Sequence, residues 1–280
     1  MFIRDARRMC ILALLLVPVA ARAGLIVDGH LADWGVVVAD HNGSTYGFLS
    51  GLDLLGSHIE DQNDTAGHSF VLGPNQGGQD YDAEMMAVAL EGGRIFIAIV
   101  TGQRPDNGLA SFGPGDIRIE TESGTLGIEV GGGVGGGSGS LITAGAPGST
   151  YTLDGNGVTK SHAVAAPAQV AGSIWSGATW LLDPIAPKGP VQLQINAGST
   201  LVGMADYVYT RDSLTTQHAV IELSFDLALL GGWGRPFSVH WRPACGNDEL
   251  DVHAVIPIPE PGVLAMTAVG AAMATIRRRR

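Results

Sequence analysis

The sequence predicts an all-β protein, built as a single jelly-roll-like β-sandwich with long Gly-rich loops. Three observations carry this prediction. Between residues 24 and 255 no 3.6-residue apolar periodicity persists; short apolar runs recur instead, separated by Gly, Asn, Asp and Pro, the pattern of strands joined by turns. Glycine supplies 41 of the 280 residues, about twice ordinary usage. Hydrophobic residues make up 45% and charged residues only 15%, enough apolar surface for a core and too little charge for a disordered acidic chain.

Residues 1–23 read as a secretory signal helix. Arg4, Arg7 and Arg8 precede an apolar run from Ile11 to Val17, broken by Pro18, and Ala21-Arg22-Ala23 forms a small-x-small cleavage site with Gly24 as the first mature residue. The run is too short to span about 30 Å of hydrocarbon. The implied partners are Sec-type export machinery and signal peptidase.

Residues 24–255 form the sandwich domain. Its clearest hairpin is Glu84 to Leu90 and Arg94 to Thr101 around Glu91-Gly92-Gly93. Further strands are expected at Asp116–Thr121, Gly124–Val130, Leu141–Ala144, Tyr151–Leu153, Val158–Ala163, Ser173–Trp175, Thr179–Leu182 and Val191–Ile195. The series continues with Ala205–Arg211, His218–Phe225, Phe237–Trp241 and Leu250–Val255, with one helical turn between Asp226 and Gly232. The tract 131–139 is nearly all glycine and reads as a flexible loop, or at most a weak domain joint. It satisfies G-x-G-x-x-G by composition alone, because no helix follows to receive a pyrophosphate. Neither a phosphate loop nor a G-x-S-x-G elbow occurs.

Residues 256–280 form a second address. Pro259-Glu260-Pro261 precedes an uncharged segment, 262–276, and four arginines, Arg277, Arg278, Arg279 and Arg280. As a helix the segment is about 22 Å long, short for a stable span, and the arginines hold the tail on the cytoplasmic side. The prolines stop the helix from running into the domain. Motif, apolar segment and basic tail, in that order, resemble the PEP-CTERM sorting signal of Gram-negative bacteria. The resemblance implies recognition by a membrane-embedded exosortase, a transient inner-membrane anchor, cleavage near the Pro-Glu-Pro, and an extracellular or outer-surface destination in cells that make exopolysaccharide.

The net charge of −11 is an average over these pieces. Residues 24–258 hold eight basic and 25 acidic residues, a net of −17. Such a domain lacks the basic face that a nucleic acid requires. Within it, Val27-Asp28-Gly29-His30-Leu31-Ala32-Asp33-Trp34 and Asp80-Tyr81-Asp82-Ala83-Glu84 resemble the openings of secreted carbohydrate-binding-module and DOMON-like sandwiches. The resemblance implies that the Asp-Gly turn starts the first strand and that Trp34 packs into the core. Gly77-Gly78-Gln79, Gly113-Pro114-Gly115-Asp116-Ile117, and His240-Trp241 with Cys245-Gly246-Asn247-Asp248 resemble a group of exosortase-dependent surface proteins.

The chemistry legible in the domain is sparse. With 25 acids, a glycosidase-like carboxylate pair is expected by chance, and a solvated acidic surface is the simpler reading. Asp80, Asp82 and Glu84 alternate beside a strand and share one side of an extended chain, so they are the candidate ligands of a structural calcium. The eight histidines show no H-x-H or H-x-x-x-H pair, which leaves zinc without a visible ligand set. Cys245 is the one cysteine after leader removal; it is buried, paired between molecules, or a nucleophile with His240 or His253. Trp175 and Trp180 are the candidate glycan contacts, although a domain with 6% aromatics also needs its tryptophans in the core. The expected protein is a non-enzymatic surface or matrix component associated with exopolysaccharide. The alternatives are a secreted polysaccharide hydrolase and a permanently anchored periplasmic binding module.

Overall fold

The structure, a computed structural model, describes residues 24–38, 46–48, 53–59, 83–102, 115–130, 150–152, 159–161, 171–182, 190–211, 218–243 and 249–259. In chain order its strands are β1 (Val36–Val38), β2 (Tyr46–Phe48), β3 (Leu54–Ile59), β4 (Ala83–Glu91), β5 (Arg94–Thr101) and β6 (Ile117–Thr121). Then come β7 (Gly124–Ile128), β8 (Thr150–Thr152), β9 (Thr159–Ser161), β10 (Ser173–Ser176), β11 (Thr179–Leu182) and β12 (Pro190–Gln194). The series ends with β13 (Thr200–Met204), β14 (Asp206–Arg211), β15 (Ala219–Asp226), β16 (Pro236–Trp241) and β17 (Leu250–Val255). Between β15 and β16 lies one 3-10 turn, Leu227–Leu230, within the stretch expected to be helical; the Asp226 carboxylate caps it by accepting from the Ala228 N–H.

Every strand pairing is antiparallel, as an all-β reading requires. One sheet runs β13-β10-β7-β6-β16-β17 and the other β14-β15-β5-β4-β3, with β1–β2, β8–β9 and β11–β12 as two-stranded ribbons. The predicted hairpin forms with Glu91 opposite Arg94. Its two loop residues, Gly92 and Gly93, have φ of 58° and 82°, the left-handed conformation that matches strand twist and admits glycine without strain.

The core follows from side-chain alternation. On β15, Ala219, Ile221, Leu223 and Phe225 face a cluster shared with Ile119, Ile174, Val239 and Trp241 of the other sheet, so the two sheets pack face to face in a sandwich-like pair. The opposite face of the five-stranded sheet is buried too. Met85, Ala87, Phe96, Ala98 and Val220 pack there beneath Leu31, Trp34 and Val36. Residues 24–36 thus form a strap across that face. Burial on both sides explains why β4 and β5 are almost continuously apolar, whereas β16 and β17 alternate.

The middle of the strap is fixed by one carboxylate. Glu222, on the strap side of β15, is fully buried. Its Oε2 accepts the N–H groups of Asp28 (3.0 Å) and Gly29 (2.8 Å), and its Oε1 accepts the Trp34 indole N–H (2.7 Å). Trp34 is buried, as its resemblance implied, but the Asp-Gly turn docks on Glu222 and does not open a strand; β1 starts only at Val36. Four strands are absent from the sequence expectation: β1 and β2, which pair as a ribbon, and β3 and β13, which are edge strands. The expected strand Leu141–Ala144, the leader 1–23 and segment 262–276 lie outside the described residues; among those described, no helix is long and apolar enough to cross a membrane.

The sheets communicate at two edges. Extended chain passes from β13 to β14 through Ala205, whose N–H donates to the Gly172 carbonyl (2.8 Å). At the other edge, β3 meets β17 through the Asp251 N–H, which donates to His58 Nδ1 (2.9 Å). Accepting there requires the lone pair on Nδ1, so His58 is neutral in this contact, with its proton on Nε2.

Candidate functional site

The outer face of the six-stranded sheet is divided in two. Over β7 and β10 it is covered by the β11–β12 ribbon. A β-carbon on Gly127 would lie 2.3 Å from Leu193 Cδ1 and 3.0 Å from Trp180 Cζ2, so only glycine lets the ribbon settle there. Leu193, Ile195, Ala178 and Trp180 form a small cluster with Trp175 beneath them. The ribbon is tied down by Asp116, a buried carboxylate that accepts Leu193 N–H through Oδ2 (2.7 Å) and Val130 N–H through Oδ1 (2.9 Å).

Over β6, β16 and β17 no described ribbon covers the same face, whose first polar row is partly buried and whose second is more exposed. Register places Arg118, His240 and Asp251 in one transverse row, continuing from Trp175 and Gly127 under the ribbon. The next row is Glu120, Ser238 and His253. Alternation sends their neighbours Ile119, Val239 and Val252 into the core. Arg118 pairs with Glu120 on the same strand. His240 donates Nδ1–H to Asp251 Oδ1 (2.9 Å), so Asp251 sits between two imidazoles, those of His240 and His58. Beside the second row is a shallow depression of about 590 Å³, lined among others by Leu55, Glu120, Glu122, Ser238, His253 and Val255. Trp180, half-buried at the ribbon edge above Gly127, stands one strand away from Arg118 and forms the aromatic border of the open face.

The electrostatics of the row are set by Asp251. Burial pushes its pKa up, but the hydrogen bond and charge of His240, a hydrogen bond with Glu249 and the charge of His253 outweigh it, leaving the carboxyl below its ordinary 3.8. A depressed carboxylate contributes stability above its unfolded pKa and loses it as pH falls through the folded value. Asp251→Asn is therefore expected to cost stability at pH 5, with the gap to the unsubstituted protein narrowing as pH falls below 3.8. Thermal midpoints of the two proteins across that range check it; a gap independent of pH would contradict the assignment.

The residues expected from sequence fare unevenly. Trp175 is a correction: it is 3% exposed and donates its indole N–H to Ser173 Oγ (2.9 Å), so it is part of the floor under the ribbon and not a glycan platform. Its partner Trp180 does border an open surface. For the calcium set, Asp80 and Asp82 lie outside the described residues. Glu84 does not offer a solvent-facing ligand: it is 1% exposed, with Oε1 2.5 Å from Nε2 of the equally buried His218. Among the described residues no group of three or more His, Cys, Asp or Glu side chains is arranged to hold a metal ion. Cys245, Glu260, Pro261, Arg277, Arg278, Arg279, Arg280, Ala21 and Ala23 also lie outside the described residues, whereas Gly24 and Pro259 are within them. His240, His253, Asp251 and Glu120 were not foreseen as a group. Their signal was present as polar residues at every second position of three expected strands.

No protein-family model matches this chain, and neither does any curated protein or solved structure.

Proposed function

We propose that this chain is an exported protein, sorted by an exosortase to the cell surface or extracellular matrix, and that its all-β region is a non-enzymatic module associating with exopolysaccharide. The sorting half rests on the ordered C-terminal segment: Pro259-Glu260-Pro261, the uncharged stretch 262–276 and the arginines 277–280. The binding half rests on the polar rows Arg118–His240–Asp251, partly buried, and Glu120–Ser238–His253, more exposed, bordered by Trp180. Alternating donors and acceptors suit sugar hydroxyls, and an indole edge suits a sugar's C–H face. We read the paired sheets as one sandwich of the kind that displays glycans on a sheet face. A net of −17 over residues 24–258 directs the module toward neutral or amino-sugar polymers and away from uronic-acid polymers, which it would repel.

The polar face supports binding better than hydrolysis. Its two central carboxylates, Glu120 and Asp251, are engaged by Arg118 and His240, whereas a glycosidase needs an acid and a base converging on one bond. Native-gel retardation in neutral, amino-sugar and uronic-acid polysaccharides tests the module. Retardation in the first two, weakened about tenfold in apparent affinity by Trp180→Ala, is the expected result; no retardation in any of them overturns it. For sorting, mass spectrometry of protein from exosortase-positive cells is expected to lack peptides from 262–280, and the tail is expected to persist when the exosortase is deleted. An intact tail in both would favour the permanently anchored alternative.

A further inference from the structure

We infer that removal of the leader at Ala23–Gly24 completes a latch, in which the α-ammonium created on Gly24 pairs with the Glu91 carboxylate and fastens the start of the strap. The inference rests on the signal-peptide reading and adds to it a receptor for the new chain end. Glu91 is the last residue of β4, and its Oε2 accepts the Leu25 N–H at 2.5 Å. A β-carbon on Gly24 would lie 3.2 Å from that Oε2 and 3.4 Å from Oε1. The Gly24 α-nitrogen, bonded to the same Cα, is about 2.5 Å from that point, so the carboxylate is within Coulomb reach of any charge the nitrogen carries.

While Ala23 is attached, that nitrogen is a neutral amide. Peptidase-catalysed hydrolysis breaks the Ala23 C–Gly24 N bond. Water gives its hydroxyl to the Ala23 carbonyl carbon and its hydrogen to the Gly24 nitrogen, which takes up a further proton near neutral pH because α-amino groups titrate at about 7.7–8.0. The one described cation beside Glu91 is directed elsewhere: Arg94 donates to Asp206 Oδ2 (2.5 Å) and to Ser224. The strap is then fastened to the sheet by Glu91 at Gly24 and Leu25 and by Glu222 at Asp28, Gly29 and Trp34, and braced within itself by Asp33 at Ile26. Processing thereby contributes to the mature fold as well as releasing the protein.

The test uses the full exported protein in four forms: unsubstituted, Glu91→Gln, a chain with two serines inserted between Ala23 and Gly24, and the insertion combined with Glu91→Gln. Glutamine keeps an oxygen for the Leu25 N–H, so the comparison isolates the charge. N-terminal sequencing fixes the first residue of each. Glu91→Gln is expected to lower the melting midpoint by about 1–3 °C when Gly24 is first. It should also speed amide exchange in residues 25–36 by roughly three- to fivefold. Both effects should vanish in the inserted chain. A different first residue overturns the processing reading and the latch with it. Gly24 first, with equal Glu91→Gln effects in both backgrounds, overturns the latch alone.

Discussion

Glu222→Ala is expected to destabilise the protein by about 3 kcal/mol, lowering the melting midpoint by roughly 6–12 °C and releasing residues 24–36 from the five-stranded sheet. Three donors end on this one carboxylate, the N–H groups of Asp28 and Gly29 and the Trp34 indole N–H. Alanine leaves them buried without an acceptor, a costlier outcome than losing a solvated contact. Detachment would also expose the apolar outer face formed by Met85, Ala87, Phe96, Ala98 and Val220. Aggregation on heating is therefore part of the expected phenotype. Amide exchange distinguishes the mechanism: protection should be lost first in the strap and retained in β15. Uniform loss across both sheets would show that the strap is no separate unit.

The same carboxylate gives a pH signature of definite sign. Burial raises its pKa from 4.5 to about 7, while the Trp34, Gly29 and Asp28 donors act against that rise. Between these two values the folded protein holds a proton that the unfolded chain releases. Stability should therefore increase as pH falls from about 7 to 4.5, by up to about 3 kcal/mol, and level off below. Glu222→Gln should flatten that slope. Asp251 acts in the opposite sense and in a separate window, below its ordinary 3.8, so the two residues can be read apart in one pH series.

What the sequence made legible divides along physical lines. β4, β5, β15, β16 and β17 were visible because burial on one or both faces imposes apolar alternation or an apolar run. β3 and β13 were not, since these edge strands, unlike β17 with Leu250, Val252 and Ala254 in the core, send few apolar side chains inward. β3 carries Gly56, Ser57 and His58 in its six residues, and β13 leaves Leu201 and Met204 exposed. Glu222 was legible only as a lone acid inside an apolar strand. Its meaning depends on the strap, whose docked residues lie 188–194 positions away. The open polar face is likewise a product of register: Arg118 and His240 are neighbours because β6 pairs with β16 across a long crossover. Local spacing rules for histidine ligands search along the chain and miss groups assembled across strands.

Asp116 joins fold to proposed function, which makes it the more informative of the two large perturbations. It immediately precedes β6. From there it holds the end of β7 through Val130 and the ribbon through Leu193. Asp116→Ala leaves two buried N–H groups unpaired and is expected to cost about 2–4 kcal/mol. Asp116→Asn retains one acceptor oxygen and places an amide N–H₂ against the remaining donor, so it should fall between alanine and the unsubstituted protein. The ribbon is the part expected to move, because its other attachment over Gly127 is apolar contact through Leu193 and Trp180. Lifting it exposes Trp175 and displaces Trp180 from the border of the open face. Tryptophan fluorescence should shift to the red before global unfolding, and polysaccharide retardation should weaken at temperatures where the sheets remain folded. Arg118→Ala provides the contrast: it removes a polar group from the open face without touching the ribbon, and should weaken retardation while leaving the fluorescence unchanged. If Asp116→Asn shifts the fluorescence yet binds polysaccharide as the unsubstituted protein does, the ribbon is a structural cover and Trp180 is no part of a binding surface.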